Sequence, residues 1–102
     1  MSATTIELVR LTVKEGYSDE EILAAHQAAN AALKAKWSGL THTALVKLEN
    51  GEYLAIVEWA TREEAVHALT NSGDVAEFVA WDGMTEVVAF DMTDIVDSWT
   101  GR

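Results

Sequence analysis

Cysteine and proline are both absent from this chain. Without cysteine there is no disulfide framework, no thiolate nucleophile and no zinc–thiolate site, a composition that suits a reducing compartment. Without proline one common turn marker is missing, so turns must be read from glycine, asparagine and aspartate. Basic residues are scarce: 7 Lys and Arg stand against 17 Asp and Glu, a formal net charge of −10. Such a surface repels phosphate backbones and anionic membranes, and no basic stripe gathers the few cations, so neither nucleic acid nor a membrane is an expected partner. No apolar run approaches the roughly 20 residues of a membrane span. The opening "MSATTIELVR" has no basic segment followed by a long apolar one; no secretory leader is expected, and a cytoplasmic location is the default expectation. The six glycines are single and scattered, which excludes a glycine-rich phosphate loop, and no G-x-S-x-G nucleophile setting occurs.

What is present is a folding composition, 49% apolar with 24% charged residues, over 102 residues. That length predicts a single domain, 1–102, with a real but shallow core. Residues 5–13, "TIELVRLTV", read as a first strand rich in β-branched side chains. "SDEE" then opens a helix with Ser18 as N-cap and Glu21 three residues on, a capping box. The helix is expected to run to about Trp37 and to stop with Gly39 near its C-cap. Residues 40–48 and 53–60 read as two strands joined through Asn50-Gly51, a strong hairpin signal. "TREE", 61–64, is a second capping box before a short helix to about Thr70; 74–82 makes a further helical piece; 85–93 reads as a fourth strand. The order βαββαβ is two split βαβ halves: an α+β, ferredoxin-like fold with a four-stranded antiparallel sheet and its helices on one face.

The third strand conflicts with that one-sided cover. In "YLAIVEWA" Tyr53, Ala55, Val57 and Trp59 line one face while Leu54 and Ile56 line the other, so both are apolar. The other strands behave alike, with Leu8 beside Val9, Leu45 beside Val46 and Val87 beside Val88. The expectation is a homodimer that pairs sheet face to sheet face, since two-fold pairing is the commonest closed symmetry. The alternative is a monomer whose tail "DIVDSWTGR" folds over the sheet.

Three stretches, "VRLTVKEG" (9–16), "VEWATREEAVHAL" (57–69) and "NSGDVAEFVAW" (71–81), resemble the dimeric α+β barrel superfamily, and within it the antibiotic-biosynthesis-monooxygenase-like (ABM) domain family. The resemblance implies a dimeric α+β barrel and a choice of activities: cofactor-independent oxygenation of anthrones and hydroquinones, heme degradation, or cyclase and isomerase chemistry. In heme-degrading members a strand-one Asn, a Trp ending strand three and a late-helix His form the site. Trp59 matches that Trp, but Val9 stands at the Asn position and Ala80 or Trp81 near the His position. The implied cofactor is therefore none, with heme not favoured.

Within this frame His26 is the candidate catalytic base. Ile22, His26, Ala29 and Leu33 share one helical face that should point at the sheet, where a partly desolvated imidazole titrates near neutrality. A core histidine satisfied by hydrogen bonds is the plain alternative. The same helix carries seven alanines, which pack small and leave volume for a ligand or for large neighbours. Trp59, Trp81, Phe78 and Tyr53 are the expected lining of such an apolar, substrate-binding pocket. His42 alternates with Ala44, Val46 and Leu48 on an apolar strand face and can reach the pocket or the dimer interface. His67 reads as a half-exposed histidine. No His pair has metal-ligand spacing, so no metal is expected. Arg10 faces the second sheet side and is expected to pair with Glu58, with substrate-anion binding as the rival role. Trp37 and Trp99 read as edge packing. The functional expectation is a small dimeric monooxygenase-like enzyme acting on an electron-rich aromatic, a hydroquinone or a polyketide-derived phenol. A heme or hydrophobic-ligand binding protein, a cyclase or isomerase, and a domain with a filled core are the alternatives.

Overall fold

The computed structural model describes residues 4–101. Four strands, β1 (Thr5–Val13), β2 (Leu40–Lys47), β3 (Tyr53–Trp59) and β4 (Thr85–Asp94), form one antiparallel sheet in the order β2-β3-β1-β4. Helices α1 (Asp19–Lys36), α2 (Arg62–Asn71) and α3 (Ala76–Gly83) connect them, with a single 3-10 turn, Ser72–Asp74, between α2 and α3. This is the expected βαββαβ ferredoxin-like order, its second helix broken in two.

The local signals explain most of these elements. Ser18 accepts a hydrogen bond from the Glu21 backbone N–H while the Ser18 N–H donates to the Glu21 carboxylate, so the capping box is complete. Three acidic residues in the first turn and Lys34 and Lys36 in the last complement the helix dipole. At α2 only half of the second box forms: Thr61 Oγ1 accepts from the Glu64 N–H. The Glu64 carboxylate instead packs onto Gly39, where a Cβ would collide with it. Gly39 is therefore not a left-handed C-cap; it sits against the far end of the flexible Glu64 side chain, which would have to move aside for a larger residue. The C-cap of α1 is Trp37 in an extended conformation, its N–H bonded to the Leu33 carbonyl. That turn swings the Trp37 ring into the core, 5% exposed, which corrects its reading as edge packing. Its Nε1–H donates to Nδ1 of His67 at 2.9 Å. The 48–52 hairpin closes through Gly51 N–H to the Leu48 carbonyl, with Gly51 at φ +90°.

Register assigns the faces. On β1, Thr5, Glu7, Val9 and Leu11 stand opposite Trp59, Val57, Ala55 and Tyr53 of β3, and this set faces the helices. Leu11 and Ile22 are almost fully enclosed, each worth roughly 1.5–3 kcal/mol of burial. The other face carries Ile6, Leu8, Leu54, Ile56, Ala44 and Val46 with no helix over it. Arg10 lies opposite Leu54 there and pairs with Glu52 at 3.2 Å. Glu58 lies opposite Ile6, too far along the strand for the expected Arg10–Glu58 pair. The tail does not cover this face with its large side chains: Val96 is 97% and Trp99 88% exposed. No helix among the described residues is long and apolar enough to cross a membrane.

Candidate functional site

Between α1, α2, α3 and the sheet lies a cavity of about 190 Å³. Small side chains on three elements create it: Ala29 of α1, Ala55 of β3 and Ala68 of α2, all at least 95% buried and all on its wall. The lining is otherwise mostly apolar, from Val9, Leu11, Leu33, Val57, Phe78, Trp59 and Trp81. Leu69, Val87 and Phe90 also line it, yet they are 40–55% exposed, so they mark the mouth beside the edge strand β4. A mostly apolar hollow with few polar groups suits a small hydrophobic ligand.

Of the residues singled out in the sequence, His26, Trp59, Trp81 and Phe78 meet at this cavity. The helical spacing explains His26: Ile22, Ala29 and Leu33 are buried on its face and carry it toward the sheet. Its ring meets Trp81 edge-on, centroids 5.0 Å apart. The Asn30 amide lies 3.3 Å from Nδ1 and 3.4 Å from Nε2, longer than the usual hydrogen bond of about 2.9 Å, so it braces the ring without firmly engaging either nitrogen. Burial pushes the imidazole below its ordinary value of 6.5, leaving it neutral and able to accept a proton at pH 7.

Tyr53 and His42 are placed elsewhere. The Tyr53 ring packs into the core beside Ile22 and Trp81, but its hydroxyl donates to Asp19 at the start of α1, 2.6 Å away, outside the cavity wall. That bond lowers the Asp19 carboxyl and raises the Tyr53 phenol. His42 is exposed on edge strand β2, opposite Glu58 on the face away from the helices. A kink between Leu40 and His42 shifts the strand register there, and the histidine borders only a shallow, open depression with Asn30 and Lys34. His67 is exposed and engaged by Trp37. No group of three or more His, Asp or Glu side chains poised for a metal occurs among the described residues.

Among the wall residues that the sequence did not single out, one is a buried carboxylic acid. Glu7, on the helix-facing side of β1, is 8% exposed and lines the cavity. Desolvation raises its carboxyl from 4.5 to about 7, opposed by the nearby Trp59 indole. Trp59 is 2% exposed, and its Nε1–H is buried with no hydrogen-bond partner among the described residues. The signal for Glu7 was strand parity: if Val9 faces the helices, so does the residue two before it.

Scanned against known protein families and curated proteins, the sequence matches none. Solved structures do match. A mutant form of SnoaB, a cofactor-independent oxygenase from Streptomyces nogalater, superposes with a TM-score of 0.76 at 16% identity, over 95% of this chain and 97% of that one. A candidate antibiotic biosynthesis monooxygenase from Caulobacter crescentus CB15 gives 0.72 at 16% identity, over 94% and 92%. One from Chloroflexus aurantiacus J-10-fl gives 0.71 at 9% identity, over 96% and 98%. With its βαββαβ order, one-sided helices and interlayer cavity, the chain has the α+β fold of these antibiotic biosynthesis monooxygenase-like structures.

Proposed function

We propose that the protein is a small monooxygenase-like enzyme that oxidises an electron-rich aromatic, a hydroquinone or polyketide-derived phenol, without a bound organic cofactor. The observation that carries this is the cavity itself: an apolar hollow with a neutral, half-buried imidazole on its wall. The likeness in fold to a cofactor-independent oxygenase supports it. An apolar cavity of about 150 Å³ suffices for benzene, so about 190 Å³ holds one aromatic ring or two, with the remainder of a larger substrate in the mouth. A porphyrin exceeds that space, which weighs against heme.

The chemistry needs no outside reductant. A phenol and O2 yield a quinone and water, with one oxygen atom kept on the ring carbon and the other leaving as water. Removal of the phenolic proton raises the electron density that reacts with O2. Ring carbon and oxygen then form a bond, and loss of the ring hydrogen as a proton lets water depart. His26 serves as a proton acceptor in this sequence, and Trp59, Trp81 and Phe78 hold the ring and exclude water.

The working form is a homodimer with its open sheet faces paired. The uncovered aliphatic residues of that face, and a tail that leaves Trp99 in solvent, favour a second copy over self-cover. The test of function is oxygen uptake by purified protein across a panel of one- and two-ring phenols and hydroquinones. Uptake with at least one member is expected, and its absence with every phenol that binds removes the oxygenase reading.

A further inference from the structure

The cavity wall holds two buried polar side chains, Glu7 and Trp59, and the Trp59 Nε1–H has no hydrogen-bond partner among the described residues. Glu7 stands opposite Val57, and Trp59 lies two residues further along β3 on the same face, so the pair are diagonal neighbours across adjacent strands. Side chains so placed reach a common point. An indole N–H buried without a partner and a desolvated carboxyl beside it are both costly, and such costs persist where something else completes the groups.

We infer that Glu7 and Trp59 form the polar end of the cavity and together bind the phenolic hydroxyl of the substrate, Glu7 accepting its hydrogen and Trp59 Nε1–H donating to its oxygen. The inference rests on the reading of the cavity as a phenol site and adds to it a second acid–base residue. In the reaction the O–H bond of the phenol breaks as a new O–H bond forms on the Glu7 carboxylate. The phenolate is left facing two donors, the indole N–H and the newly protonated carboxyl, placed where the charge develops. His26, from the helix layer, remains free for the proton that leaves the ring carbon. A carboxyl that titrates near neutrality suits this exchange. The other titratable groups on the cavity wall are His26 of α1 and Asp82 of α3.

The arrangement selects for a free hydroxyl. A methyl ether of the same shape fills the apolar space but leaves the carboxylate unpaired. Calorimetric titration of the full chain, without oxygen, with 4-methylphenol and with its methyl ether tests this. At pH 8 the phenol is expected to bind roughly ten- to a hundredfold more tightly than the ether. In the unaltered protein the preference should shrink as the pH falls through about 7, where Glu7 takes up its proton. Glu7→Leu should abolish the preference and its pH dependence, and Trp59→Phe should reduce it several-fold. Equal binding of phenol and ether at pH 8, or a preference that survives in Glu7→Leu, overturns the inference. The pH series needs no variant, so a poorly folding substitution does not shield it. Preference without oxygen uptake keeps this site and removes the oxygenase reading; uptake without preference does the reverse.

Discussion

The two faces of one sheet break opposite rules. The face under the helices is a core, yet it carries Glu7, a carboxylate, among Thr5, Val9 and Leu11. The face with no helix over it carries Ile6, Leu8, Leu54 and Ile56, aliphatic residues that gain nothing from water. A chain selected only for stability would exchange these features. Local rules tend to fail where a site or an interface needs them to, and each face fails in the way its proposed use would require. On the proposed reading, the covered face holds a polar group inside an apolar hollow to bind a ligand, and the open face keeps apolar area to pair with a second copy.

Substitutions on each face sharpen this contrast. The largest expected effect is on the covered side: His26→Ala should lower the rate of oxygen uptake by about 10²- to 10⁴-fold, the usual worth of a positioned proton acceptor. Because His26 is only half-buried, denaturant melts should show a much smaller loss of stability than of rate. On the open side, Ile56→Asp should turn a dimer into a monomer by sedimentation velocity, since an unpaired charge buried at an interface costs about 3–5 kcal/mol. If the face is ordinary surface, the same change leaves the mass and the stability as they were.

The next effect is a pH dependence of folding. The unfolded chain ionises Glu7 at its ordinary value of 4.5, whereas the folded chain holds that proton until about 7. The folded state therefore binds the proton more tightly, and stability is lost as the pH rises from about 4.5 to 7. Glu7→Gln should flatten this fall and recover up to about 3 kcal/mol at pH 8, read from urea unfolding at several pH values. A fall in stability at pH 8 would mean that the carboxylate is well solvated. The smallest effect lies outside both faces: Ser18→Ala should cost about 1 kcal/mol by removing one half of the α1 capping box.

Much of this contrast is legible in the chain. Period-two alternation in residues 53–59 places Trp59 and Ala55 under the helices and Leu54 and Ile56 on the open side. The 4-3-4 spacing of Ile22, His26, Ala29 and Leu33 brings the imidazole to the cavity. The misses have physical causes. Glu7 is hidden because an acidic residue within a strand reads as surface until its parity is compared with that of Val9. Tyr53 shares the correct face, but its length carries the hydroxyl past the cavity to Asp19, a contact between elements that strand pattern does not encode. The kink before His42 turns on register, which one strand alone does not reveal. Gly39 resembles a left-handed helix stop, whereas its φ is not positive and what it meets is the end of the Glu64 side chain, a contact between elements that local pattern does not encode.

The most direct test of the central claim, that the covered face oxygenates a phenol with no outside reductant, is mass spectrometry of the product formed under oxygen-18 gas. A quinone carrying one labelled oxygen, with labelled water and no hydrogen peroxide, is the expected result. An unlabelled product accompanied by hydrogen peroxide would contradict it, because the protein would then be removing hydrogen without inserting oxygen.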